Sequence, residues 1–300
     1  MLVVNLIYLK IKNVNIYNIL LSKEYISLVE FKRYSWPIYL TLIFVTLGLH
    51  YDKMILAQFV DKYTLGIYFS ATIIPAFLLT MLTTINFLYF PKISSVLANK
   101  KNKFFSYITS FTTKWISFIA FIVTYFLFFH AYDIIIMFFN EKFLIAETCF
   151  KILSLSQFIH LSFGFTGQDI LALGKSKVHL LVKVFSLLLG MVMGLLFVEK
   201  WGIEGIAFSV LIMSFVSNMI QIYYMQIILK YRLFFLENYL TWISSFFLFL
   251  LTYVLNFLNN SSSSYFQSIL FIVIFILILI TTNVISRKDI KMLKFISDIE

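Results

Sequence analysis

The residues of this chain that could do chemistry fall inside or beside long apolar stretches: Asp52, Asn86, Lys114, Lys151, Gln157, His160, Gln168, Asp169 and Lys183. A charged group facing hydrocarbon is expensive, so each should turn into the interior of a helix bundle or reach for an interface. Gathered inside a bundle, such groups would line a path for a polar solute or ion. Lys114, Lys151 and Lys183 lie within about two turns of the ends of their stretches, where snorkelling competes with an interior role. For Asp52, Gln157, His160 and Asp169 the competing reading is hydrogen bonding between helices.

Patterns for other chemistries are missing. The run LALGKS at 171–176 resembles the end of a phosphate-binding loop, but Asp169 stands where the first glycine is required and no strand precedes it. His50, His130, His160 and His179 never pair at metal spacing, and no Ser/His/Asp constellation stands out. Cys149 stands alone, which excludes a disulfide framework and thiolate metal ligation within these residues. We expect no catalytic residue, no metal and no cofactor.

The elements that hold these groups follow from composition. Of 300 residues 61% are hydrophobic and 13% charged, with 36 Phe and 18 Tyr. A soluble domain averages about 45–50% apolar and about 25% charged, so the chain belongs in a bilayer. Uninterrupted runs such as Phe271–Ile280 have helical length, and ten-residue alternating segments of the barrel kind are missing. The net charge of +10 comes from basic residues scattered among short loops, which disfavours nucleic acid as a partner. The N-terminus MLVVNLIYLKIKN has neither a basic leader nor a cleavage site and reads as the tail of a membrane span.

Taking about 20 apolar residues per crossing predicts eight spans, near 34–56, 65–90, 110–130, 149–171, 178–198, 206–228, 239–258 and 266–286. Pro75 should kink the second, which should end at Phe90-Pro91-Lys92. Residues 1–33 read as a cytoplasmic lead-in, and the segment from Asp133 to Glu147 as an interfacial stretch. The first outer turn should carry Asp52, Lys53, Asp61 and Lys62. Two sequons starting at Asn259 and Asn260 mark the loop Asn259–Ser264 as polar. Inner loops and tails on this scheme hold Lys10, Lys12, Lys23, Lys32, Arg33, Lys92, Lys100, Lys101, Lys103, Lys175, Lys177, Lys230, Arg232, Arg287, Lys288, Lys291 and Lys294. Outer ones hold Lys53, Lys62, Lys142 and Lys200, so both termini are expected in the cytoplasm and the cell membrane is the expected location.

The blocks HYDKMILAQFVDKYTLGIYFSA at 50–71, FPKIS at 90–94, GQDILALGKSK at 167–177 and WGIEGIAFSVLIMS at 201–214 occur in an order and spacing that resembles polysaccharide flippases. These are the Wzx-like members of the multidrug/oligosaccharidyl-lipid/polysaccharide exporter superfamily. The resemblance implies an all-α polytopic membrane protein whose residues 34–232 are one six-helix lobe of a MATE-like transporter, with two added helices and a basic tail over 233–300. Residues 1–21 match only the end of the preceding lobe's last helix, so it implies a chain without the first lobe. A separate first lobe or a second copy would then supply the facing wall.

The resemblance further implies a polyprenyl-diphosphate-linked oligosaccharide as substrate, with membrane lipid around it. The cations that could meet the diphosphate are Lys114, Lys151, Lys183 and His160, with Gln157 for sugar and with Asp52 and Asp169 for a coupling ion. A multidrug exporter of the same architecture is the alternative transporter. A membrane-embedded glycan polymerase or acyltransferase is the alternative enzyme, disfavoured by short outer loops.

Overall fold

The structure, a computed structural model, describes residues 28–259, 265–282 and 284. The start of the lead-in, the loop residues Asn260–Ser264 with the second sequon, and the basic tail after Val284 lie outside the described residues. All elements among the described residues are helical: α1 Leu28–Gly48, α2 Tyr51–Phe59, α3 Lys62–Ala98, α4 Asn102–Phe129 and α5 Ala131–Phe138. A 3-10 turn, Glu141–Ala146, leads to α6 Glu147–Ser162, α7 Thr166–Ala172, α8 Ser176–Tyr223, α9 Leu236–Asn259 and α10 Tyr265–Thr281. Six stretches are long and apolar enough to cross a bilayer, and Gln267–Thr281 is a shorter apolar helix. The protein is an all-helical, polytopic membrane protein.

One stretch, Ser176–Ile228, runs 53 residues, about 80 Å at 1.5 Å per residue, against a hydrocarbon core of about 30 Å. It is a hairpin. Gly202 takes φ 55° and ψ −129°, outside helical space, which a residue with a Cβ rarely adopts. Beyond it a Cβ on Gly205 would lie 2.3 Å from the Phe197 carbonyl oxygen, one on Gly194 3.3 Å from Ser209 Oγ, and one on Gly190 3.1 Å from Met213 Cβ. Lys183 Nζ reaches Ser217 Oγ at 3.4 Å. As one number in each pair rises the other falls, so the two arms of α8 are antiparallel. Gly190 and Gly194, four apart, let α2 and the returning arm approach closely, and Tyr51 hydroxyl meets Ser209 Oγ at 3.0 Å.

Several boundaries differ from the sequence expectation. Helix α3, 37 residues in all, does not stop at Pro91 but runs on to Ala98, because an internal proline removes a single donor and the surrounding turns persist. The chain reverses instead at Lys100, where φ is 55°. Asp52 is not in the outer turn: it lies in α2, 4% exposed, and the turn is carried by Asp61. Asp61 caps α3 by accepting from Tyr63 N and Thr64 N, at 3.0 and 3.3 Å, and from the Thr64 hydroxyl at 2.6 Å. That hydroxyl holds the carboxyl below the usual range. The span expected at 149–171 is two helices, α6 and α7, parted at Gly164 with φ 64°.

Helix α4 is the central post. One side packs on α3 and α6, and the other receives α9 and α10 through a ladder of polar and aromatic contacts. Asn238 takes the Ser110 hydroxyl, and its amide donates to Ser110 O at 3.0 Å. Trp242 Nε1 donates to Ser117 Oγ at 3.2 Å, Tyr125 hydroxyl meets Thr252 Oγ1 at 3.0 Å, and the Phe121 and Phe275 rings pack 4.5 Å apart. The Ser110 and Ser117 hydroxyls thus bond across helices, while Thr113 and Thr124 are buried in the same row with hydroxyls that have no partner.

Candidate functional site

A cavity of about 210 Å³ opens where these helices are least regular. Its walls come from the α1–α2 break at Gly48 and Leu49, from α3 around Pro75, from the end of α6, and from both arms of α8. Proline at 75 leaves the Ala71 carbonyl without its helical donor, and irregular backbone at membrane depth persists only where protein or a cavity surrounds it. Polar groups face the space: Asp52, Lys53, Thr72, Gln157, His160, Lys183, Ser186, Ser214 and Ser217. The remaining lining is apolar, including Phe44, Leu79, Leu153 and Met213.

The charges in the cavity do not cancel. Asp52 accepts from the Tyr68 hydroxyl at 2.9 Å and pairs with Lys53 at 3.4 Å, so its carboxylate is already committed. Lys183 donates to Ser217 Oγ and pairs with no carboxylate among the described residues. One cation is left over in a space lined by both polar and apolar groups. Such a site favours an anion that also carries apolar surface, because desolvation strengthens the charge contact while the walls take up hydrocarbon.

Of the seven expected site residues, the fold gathers four here: Asp52, Gln157, His160 and Lys183. The other three lie elsewhere. Lys114 is 3% exposed and bonds Glu237 at 2.9 Å and the Val284 carbonyl at 2.8 Å, joining α4 to the C-terminal helices. Lys151 pairs one turn back with Glu147 at 2.6 Å. Asp169 is fully buried between α7, α3 and α4, where the Tyr89 hydroxyl donates to Oδ1 at 2.6 Å. Sequence reasoning missed Lys53 and the serines at 186, 214 and 217; a signal was present, since 214, 217 and Gln221 repeat at helical spacing on the returning arm.

The break between α6 and α7 is furnished from neighbouring helices. Ser117 Oγ donates to Ser162 O at 2.7 Å, and Asn218 Nδ2 donates to Ile159 O at 3.3 Å. These are carbonyls that an uninterrupted helix would have satisfied itself. Beyond the break, Thr166 Oγ1 reaches Gln221 Oε1 at 3.4 Å, and Gln221 Nε2 donates to Ser217 Oγ at 3.0 Å. A line of side chains therefore joins α7 to Lys183.

One constellation was not legible in the sequence. His130 Nε2 lies 2.8 Å from Ser268 Oγ, and Nδ1 lies 3.7 Å from Asp133 Oδ2. The order resembles a nucleophilic triad. Ser268 and His130 are each 1% exposed, and Tyr265 stacks on the imidazole at 4.3 Å, so the hydroxyl is closed to substrate in this structure. Burial holds His130 below the ordinary histidine range. The cluster fastens α10 to the end of α4.

No known protein family, curated protein or solved structure matches the chain.

Proposed function

We propose that this chain is a transporter lobe that moves a polyprenyl-diphosphate-linked oligosaccharide across the cytoplasmic membrane, and that it is not an enzyme. The observation that carries the reading is the surplus cation: Lys183 without a paired carboxylate among the described residues, beside His160 and Gln157, in a cavity with both hydroxyl-bearing and apolar walls. A diphosphate would take Lys183, hydroxyl-bearing sugar would meet Gln157 and the serines, and prenyl chain would pass along the lipid-facing apolar wall. Asp52 does not favour a cationic drug, because Tyr68 and Lys53 already occupy it.

Counting the two arms of α8 separately and adding α10 gives eight crossings in our reading. The distribution of lysine and arginine then puts both termini in the cytoplasm. Six crossings over 34–232 form the lobe and two more form the added pair. A pocket for a drug-sized ligand usually measures about 300–1,000 Å³, and this one is smaller, which supports a partial site completed by a second lobe or a second copy. Alternating access of that kind uses two bundles rocking about a shared site.

The test is export of surface glycan in a flippase-null cell expressing this chain, alone and beside a first lobe, together with Lys183→Gln at equal membrane abundance. Rescue lost on removing the cation supports the reading. Full rescue by Lys183→Gln removes the diphosphate site.

A further inference from the structure

Helix α7 has a construction that the cavity alone does not explain. It is seven residues long and bounded by two glycines in left-handed backbone, Gly164 at φ 64° and Gly174 at φ 73°. Between them it carries Asp169, whose side chain is 0% exposed. Oδ1 accepts from Tyr89, while Oδ2 has no hydrogen-bond partner. No lysine or arginine pairs with it among the described residues.

A bare carboxylate with one orphaned oxygen is costly in such surroundings, and addition of a proton at Oδ2 removes the charge. The neighbouring groups set the direction of the hydrogen bonds. The Tyr89 proton is spent on Asp169, so Thr109 Oγ1, 3.1 Å from the Tyr89 oxygen, must donate to it. The groups facing α7 include Tyr89 from α3, Thr109 from α4, Tyr34 from α1 through its bond to the Leu171 carbonyl, His179 and Gln221 from α8, packed on Gly167, and Lys100 and Tyr231 beside its last turn. None is a carboxylate that would share a proton with Asp169.

Open space lies near one end of the helix. A groove of about 450 Å³, lined by Ser94, Lys100, Asn102, Ala172 and Tyr231, abuts the last turn of α7, one turn from Asp169. We propose that Asp169 is an exchangeable proton-binding site, loaded from the side of this groove and mounted on a short helix bounded by two glycines. A water-borne proton bonds to Oδ2 and gives the neutral acid; its release to water restores the carboxylate, and nothing is oxidised or reduced. The line from Thr166 through Gln221 and Ser217 to Lys183 joins the helix that carries Asp169 to the cavity. In this respect the inference rests on the transport reading, with the proton as the coupling ion.

Infrared spectroscopy of the full chain in lipid decides it. The carbonyl band of a protonated carboxylic acid should be present at neutral pH, shift on exchange into heavy water, disappear in Asp169→Asn and survive in Asp52→Asn. Carbon-13 labelling of aspartate in the unsubstituted chain should move the band, which keeps the test valid if Asp169→Asn fails to fold. No such band, or one that survives Asp169→Asn, overturns the proposal. Binding of geranylgeranyl diphosphate is measured separately: its absence at every pH would sink the substrate reading and leave the band to decide the proton site.

Discussion

Replacing Gly164 by alanine probes the break between α6 and α7 most directly. The new Cβ would sit 2.2 Å from Thr113 Oγ1 and 3.2 Å from Thr113 Cα, so rotating the threonine relieves only part of the clash. Left-handed backbone adds about 1–2 kcal/mol for a residue with a Cβ, and overpacking a filled interior typically costs about 1–3 kcal/mol. The expected loss is about 2–5 kcal/mol from these two terms together. Gly174 has the same backbone hand and open space around it, so Gly174→Ala should lose only the first term, about 1–2 kcal/mol. Gly66 lies in helical α3 with nothing within 4 Å, and alanine there should gain about 0.5–1 kcal/mol. Unfolding in mixed micelles would rank the three. Adding Thr113→Ala to Gly164→Ala should recover some of the overpacking loss, since it removes the 2.2 Å contact and the Thr113 hydroxyl has no partner to lose. Equal losses at Gly164 and Gly174, or no recovery in the double variant, would refute the packing at this break.

Lys183→Gln should weaken binding of a prenyl diphosphate by about ten- to a hundredfold, the loss of one charge-assisted hydrogen bond of about 1.5–3 kcal/mol, while leaving thermal stability unchanged. Lys114→Gln should do the reverse, lowering stability and membrane abundance with export per molecule preserved, because it loses the bonds to Glu237 and Val284. The depressed His130 stabilises the fold while neutral, so its contribution is complete above the ordinary value near 6.5 and falls away as acid protonates it. Stability measured from pH 7 to 5 should therefore decline more steeply than in His130→Asn. Cysteine at the exposed Lys200 should react with an impermeant reagent from outside and cysteine at the exposed Lys177 only after the membrane is opened; the opposite pattern would invert the proposed topology.

The helical membrane class and the long apolar stretches were legible in this sequence because hydropathy acts locally, one stretch at a time. Proline was read too strongly: Pro91 stands inside α3, where the helix on both sides outweighs one missing donor. The break at Gly164 was invisible because nothing local in QFIHLSFGFTGQDIL marks which of its two glycines takes left-handed backbone, and only the closeness of Thr113 from another helix gives Gly164 its purpose. The same limit governed the cations. Lys114, Lys151 and Lys183 sit at comparable depth in similar sequence. Glu237 claims the first and Glu147 the second, whereas the third faces a space that four other elements leave open.

That contrast has a mechanistic consequence. A cation already neutralised by a carboxylate can be made to serve a ligand only by breaking the pair, whereas Lys183 pays no such cost when an anion arrives. Asp169 presents the converse: an acid whose second oxygen is unmet and which a single proton neutralises. The two uncompensated groups lie on α8 and α7, joined by Ser217, Gln221 and Thr166. Occupancy at either end changes the charge at its own end of that line, and linkage requires the effect to be mutual. If the line carries the coupling, Gln221→Leu should leave anion binding at Lys183 and the Asp169 band intact while abolishing the pH dependence of binding. PH-dependent binding that survives Gln221→Leu would mean the proton and the anion communicate by another route.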